Sequence, residues 1–313
     1  MAGAFALGID IGGTQVRAGL VDASGALIRR KTAPTDARGG PDAVLKQLAQ
    51  LAAEVCGPKM RDVAGIGVAT AGPLDTASGT IIDIPTLPGW KGFPLRRRLE
   101  VVFGSNVRVE GDAIAAAYGE WQFGAGRSLR HLVYVTVSTG IGGGVVLDGR
   151  LAHGRCGLAG HVGHLRLAES GPTCSCGAMG CFEAFASGRA LDRLAQEAVR
   201  EHPTSLLATL SQGTNADARR LFEAARSGDA VCVDIVRREA AYLGLAFTSL
   251  IHLYSPERVI VGGGVSRDFD LLDEGIHAII RRDALAPFRD IPVVPAGLGE
   301  DSGLVGAAAL AFT

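Results

Sequence analysis

The chain has 313 residues, 47% of them hydrophobic and 20% charged, enough for two domains of ordinary size with a substantial core. A formal net charge of −1 argues against a nucleic-acid partner, which needs a basic face. No apolar run reaches the roughly 18 residues of a membrane span, and no signal-peptide pattern opens the sequence. The expectation is a cytoplasmic protein, and thiols such as Cys56, Cys156 and Cys232 fit a reducing compartment.

Residues 5–11 are apolar and β-favouring, and they end at Gly12–Gly13–Thr14. Residues 16–21 and 26–31 read as two further strands, so the glycine turn joins the first pair into a hairpin. Asp10-Ile11-Gly12-Gly13-Thr14 places a carboxylate before the turn and a hydroxyl after it. Backbone N–H groups in such a turn approach phosphate closely. The carboxylate can hold a hydrated Mg²⁺. An ordinary hairpin turn has the same appearance, because Gly-rich turns are common.

Residues 41–55 carry helical periodicity, with Val44, Leu48, Leu51 and Val55 on one face. Residues 63–69 read as a buried strand. Residues 83–94 contain three prolines and two glycines, which predicts a loop of the kind that often carries binding residues. A helix is expected over 94–102 with Pro94 in its first turn. A short strand at 107–110 leads through Gly111 to an Ala-rich helix at 113–123. Asp112 stands at that junction, where helix N-capping is its simplest role.

A strand over 131–138 precedes Thr139-Gly140-Ile141-Gly142-Gly143-Gly144 and a second strand at 145–147. This repeats the strand, glycine turn with a hydroxyl, and strand seen at 5–21. It reads as an internal duplication, and two such turns across a cleft would hold a triphosphate.

Residues 154–185 hold four of the six cysteines and two of the seven histidines. Cys174, Cys176 and Cys181 follow a C-x-C-x4-C pattern, and His164 lies ten residues before Cys174. Three thiolates and one imidazole suit tetrahedral zinc with no open position, hence a structural rather than a catalytic metal. His161 and Glu183 flank these ligands and remain for a substrate.

Helices are expected at 188–200, 216–226 and 229–253, with a polar surface loop containing some helix over 201–215. A strand at 258–261 ends in Gly262–Gly263–Gly264 and is followed by helix over 268–282. Such a corner lets a flat ring, with adenine the candidate, lie close to the backbone. A strand at 291–294 and an apolar helix at 303–312 complete an α/β pattern of two domains about a cleft.

Three segments together resemble the ROK family (repressors, open reading frames and kinases) of sugar kinases. They are DIGGT at 10–14, STGIGGG at 138–144, and the loop from AGHVGH to CSCGAMGCFEAFASG. Pro73–Asp75 and Leu87–Trp90 also fit, and the resemblance covers essentially the whole chain. It implies a two-domain actin-like, hexokinase-type ATPase fold with an interdomain cleft. Residues 1–123 plus 301–313 would form the smaller domain and 124–300 the larger. It also implies ATP- and Mg²⁺-dependent phosphorylation of a hexose or N-acylhexosamine at the 6-hydroxyl, by a homodimer or homotetramer.

Carried over by motif, Asp112 matches the catalytic aspartate and Asp10 the Mg²⁺-associated carboxylate. Gly12, Gly13 and Thr14 match the first phosphate turn, and Thr139 and Gly140 the second. His164, Cys174, Cys176 and Cys181 match the zinc ligands, with His164 also beside the sugar, and Glu183 matches a sugar-binding glutamate. Two positions depart from the pattern. Gly111 stands where an asparagine usually touches a sugar hydroxyl, and His161 stands where glucokinase-like members carry a glutamate. The histidine resembles N-acetylmannosamine kinases, so N-acetylmannosamine is the first expectation for the acceptor and glucose the alternative. A sugar-responsive repressor is disfavoured because only nine residues precede Asp10. A non-catalytic sugar-binding regulator is disfavoured because Asp112 and both glycine turns are present.

Overall fold

The structure, a computed structural model, describes residues 5–84 and 87–312. β1 (Phe5–Ile11), β2 (Gln15–Asp22) and β3 (Leu27–Pro34) come first, then α1 (Gly40–Cys56). β4 (Val63–Thr70) precedes a small ribbon of β5 (Leu74–Asp75) and β6 (Thr80–Ile81). α2 (Leu95–Phe103), β7 (Val107–Gly111) and α3 (Asp112–Phe123) follow. β8 (Leu132–Val137), β9 (Ile141–Leu147) and β10 (Arg150–Leu151) lead into the cysteine loop. Five helices come next: α4 (Phe182–Ala186), α5 (Gly188–Glu201), α6 (Leu206–Leu210), α7 (Ala218–Arg226) and α8 (Ala230–Tyr254). β11 (Arg258–Gly262), α9 (Asp273–Asp283), β12 (Val293–Pro295) and α10 (Ser302–Leu310) end the chain.

Two five-stranded sheets have the orders β3-β2-β1-β4-β7 and β10-β9-β8-β11-β12. The orders correspond strand for strand. β1, β4 and β7 are mutually parallel neighbours, and so are β8, β11 and β12. The repeat of strand, glycine turn and strand in the sequence is thus one edge of a repeated sheet topology.

The chain divides into two compact units. One comprises the chain up to Arg130, Gly144–Gly160 and the chain from Glu300; the other comprises His131–Gly143 and His161–Gly299. In the first, β1 and β4 are buried on both faces because α1 covers one side of the sheet and α10 the other. That explains why residues 5–11 and 63–70 read as near-continuous apolar runs rather than alternating ones. β3 is the exposed edge strand, and Arg29, Arg30 and Lys31 on it discourage pairing with another chain.

α10 is nearly all small residues, which lets it lie against backbone. A Cβ on Gly67 would sit 1.7 Å from the Ala307 carbonyl oxygen, and one on Gly306 would sit 1.8 Å from that of Ala115. Neither neighbour is a flexible side-chain end, so backbone would have to shift. Gly306→Ala is therefore expected to destabilise the protein by about 1–3 kcal/mol or more, measured by urea unfolding. Unchanged stability would mean that the α3–α10 crossing is looser than described.

Several expectations are corrected. Asp112 is not an N-cap: Gly111 holds that position, and Asp112 is the first helical residue. Pro94 is the residue before α2, not in its first turn. Residues 268–282 are not one helix, because a 3-10 segment (Gly264–Leu271) precedes α9 and contains the non-helical Asp268. The loop expected over 83–94 has no helix or strand in its described part, while Pro85 and Thr86 lie outside the described residues. Among the described residues no helix is long and apolar enough to cross a membrane.

Candidate active site

In the first unit the β1–β2 turn is closed by the Gly12 N–H, which donates to the Gln15 carbonyl at 3.0 Å. The Thr35 hydroxyl donates to the Gly12 carbonyl at 2.7 Å, and the Thr35 N–H donates to the Thr14 carbonyl. A Cβ on Gly12 would lie 2.9 Å from the Gln15 carbonyl oxygen, so this turn requires glycine. Asp10 is the last polar side chain before the turn. Arg17 on β2 faces it at 3.9 Å. Burial raises the Asp10 pKa to about 6, the Asp112 carboxylate adds to the rise, and Arg17 opposes it. Asp10 and Asp112 are therefore close enough to feel each other's charge.

Asp112 enters that neighbourhood from β7, whose ladder beside β4 ends with Gly111 opposite Thr70. Asp112 Oδ1 accepts the Ala113 N–H at 2.7 Å, and α3 carries the residue away from the strand end. A carboxylate in the first turn of a helix sits at the positive end of its dipole.

The second unit holds the other turn. The Ser138 N–H donates to the Gly140 carbonyl at 2.9 Å, and the Gly188 N–H donates to the Ser138 carbonyl at 2.7 Å. Glu183 braces this turn from α4. Its Oε2 accepts the Ile141 N–H at 2.9 Å and its Oε1 accepts the Ser175 hydroxyl at 2.7 Å. A Cβ on Gly140 would come within 2.6 Å of Glu183 Oε2. Glu183 thus links the cysteine loop to the glycine turn, a contact that sequence spacing does not announce.

The ligand atoms of His164, Cys174, Cys176 and Cys181 all lie within 4.8 Å of one another. Cys176 Sγ is 3.8 Å from Cys181 Sγ, and His164 Nδ1 is 3.6 Å from Cys174 Sγ. Tetrahedral zinc with sulfur at about 2.3 Å has S···S edges of about 3.8 Å. The donor set and its spacing fit that metal. Burial, then the neighbouring Cys176 and Cys174 thiols, pushes the Cys181 thiol up to about 12. Backbone hydrogen bonding at Ala178 holds Cys176 below its ordinary value. Thiols confined in this way are natural thiolate ligands for a divalent cation, whose charge offsets the cost of ionising them. His161 begins the second stretch of this unit, its ring 6.3 Å from that of His164 and nearly parallel to it.

A cavity of about 670 Å³ lies in the same unit, lined among others by Ser138, Thr139, Gly188, Phe222, Gly264 and Val265. Of the three glycines that end β11, only Gly264 lines it. Gly262 and Gly263 serve close backbone approach: a Cβ on Gly262 would lie 2.0 Å from the Tyr134 hydroxyl, and Gly263 has φ +83°. The cavity also takes residues from α7, for which the sequence predicts a helix and no part in a site. Arg226 at the end of α7 pairs with Asp268 at 3.1 Å and with both oxygens of Asp270, fastening α7 to the segment after β11.

The paired sheets and glycine turns define an actin-like, hexokinase-type ATPase. A ROK family glucokinase from Streptomyces griseus, solved in complex with glucose and AMPPNP, has this fold with a TM-score of 0.88. It is 35% identical, over 98% of each chain. A glucokinase of Thermotoga maritima is 37% identical over 306 residues, covering 97% of this chain and 96% of that one. An N-acetylmannosamine kinase of Shigella boydii is 35% identical over 308 residues, covering 97% of each. The ROK family model itself matches residues 6–313. The chain belongs to the ROK family, and its enzyme class within it is ATP-dependent carbohydrate kinase.

Proposed function

We propose that the chain transfers the γ-phosphoryl group of ATP to the 6-hydroxyl of a hexose, with glucose as the acceptor. The observation that carries the choice of sugar is whole-chain similarity. The glucokinase of Thermotoga maritima is more similar than the N-acetylmannosamine kinase, and the S. griseus glucokinase has glucose bound. His161 pointed the other way in the sequence, and one residue weighs less than the whole chain. Glucose therefore replaces N-acetylmannosamine as the first choice.

In this reading Asp112 accepts the proton of the sugar 6-hydroxyl as its oxygen attacks the γ-phosphorus and the bond to ADP breaks. Asp10 would hold hydrated Mg²⁺, which supplies charge neutralisation for the phosphates. Backbone N–H groups of Gly13 and Thr14, and of Thr139 and Gly140, hydrogen-bond phosphate oxygens, while Gly12 keeps the first turn closed through its own N–H. The cavity beside Gly264 takes the adenosine, with Phe222 as an apolar wall. His164, Cys174, Cys176 and Cys181 would hold a structural zinc. With Nδ1 of His164 turned to the cysteines, its Nε2 is left to donate to a sugar hydroxyl. Glu183 and His161 meet the remaining hydroxyls.

The test is kcat/KM for glucose, mannose, N-acetylglucosamine and N-acetylmannosamine with saturating ATP. Glucose is expected to exceed N-acetylmannosamine by about tenfold or more, the scale of one or two well-placed hydroxyl contacts. A preference for N-acetylmannosamine would restore His161 as the deciding residue.

A further inference from the structure

Glu110 and His153 make a contact that the proposed reaction does not use. Glu110 precedes Gly111–Asp112 on β7 and is 4% exposed. Its Oε1 accepts the Gly111 N–H at 2.9 Å, and its Oε2 lies 2.8 Å from His153 Nε2. A buried carboxylate is costly unless it is paired and hydrogen-bonded, and here both oxygens have a partner. His153 is itself anchored. The Ala159 N–H donates to its carbonyl at 3.0 Å, and hydrogen bonds to Glu110 and to the Leu151 carbonyl favour its charged ring.

Gly111 ends the β7 ladder opposite Thr70 and caps α3, and its N–H is taken by Glu110. Its φ of −62° and ψ of 141° are open to any residue. A Cβ there would meet only Ile114 Cδ1, at 4.0 Å. Neither backbone conformation nor crowding demands glycine, yet glycine leaves the residue before Asp112 freer than any other would. The Glu110 carboxylate restrains that residue through its N–H, and His153 holds the carboxylate in place.

We propose that Glu110 and His153 are positioning residues for Asp112: through the Gly111 N–H they set the direction from which the Asp112 carboxylate meets the sugar hydroxyl. The inference rests on Asp112 being the base. A misplacement of about 1 Å in such a group can lower a rate by about 100-fold.

The experiment measures kcat, both KM values and thermal unfolding for His153→Ala, His153→Gln, Glu110→Gln and Asp112→Asn. His153→Ala is expected to lower kcat by roughly 10- to 100-fold while KM for sugar and for ATP stays within about threefold. His153→Gln, whose amide can donate where Nε2 did, is expected to recover most of that loss. Parent-like kcat in His153→Ala, or no recovery by glutamine, overturns the inference. If the alanine variant does not fold, Glu110→Gln keeps the shape and carries the same expectation, and parent-like kcat there overturns it. Asp112→Asn separates the two claims. An active Asp112→Asn enzyme overturns the base assignment and this inference with it. An inactive one beside parent-like His153→Ala and Glu110→Gln overturns this inference alone.

Discussion

Asp112→Asn is expected to lower kcat by about 10³-fold, within the range of a positioned general base, while sugar and ATP binding persist. The asparagine amide cannot take the proton that leaves the 6-hydroxyl. It should not disturb the fold, because its Oδ1 can still accept the Ala113 N–H that Asp112 Oδ1 accepts now. A second readout follows from charge. The negative Asp112 helps hold Asp10 up at about 6. Removing that charge leaves burial and Arg17 as the remaining causes, so the Asp10 pKa should fall in the variant. An Asp10 that does not move would mean the two carboxylates are not neighbours.

Loss of the metal group carries the second large effect. Purified protein is expected to contain about one zinc per chain, as a closed four-ligand site requires. Cys181→Ala removes a proposed ligand that is 3% exposed and packed with Cys174 and Ala184. Losing a structural metal belongs with the few mechanisms that cost about 4 kcal/mol or more, which corresponds to a fall in Tm of roughly 10 °C. Activity should fall with it, because the cysteine loop reaches the glycine turn through Ser175 and Glu183. Metal-free protein with unchanged Tm would show that the four ligands close on themselves without an ion.

Much of this was legible in the sequence because it depends on local spacing. Asp10–Thr14, residues 138–144 and the C-x-C-x4-C loop are contiguous motifs, and the structure folds each into the turn or cluster that its spacing implies. Strands buried on both faces announced themselves as unbroken apolar runs. Contacts between distant residues were not legible. Glu110 meets His153 across 43 residues and Ile141 meets Glu183 across 42, and neither residue type nor periodicity marks them as partners. The sequence predicts a helix for α7 and nothing in it marks the residues that line the cavity wall. β5, β6 and β10 have two residues each, too few for any period to show. Asp112 read as a helix cap because acidic residues at strand-to-helix junctions usually are; the backbone gave that position to Gly111 instead.

The most direct test of the whole account is sugar-dependent turnover with the product identified. Purified protein with ATP, Mg²⁺ and glucose should form ADP and glucose 6-phosphate in equal amounts, and omission of glucose should reduce ADP formation to a small residue. Nucleotide binding without any sugar-dependent ADP release, or phosphate placed on a hydroxyl other than the 6-hydroxyl, would contradict it.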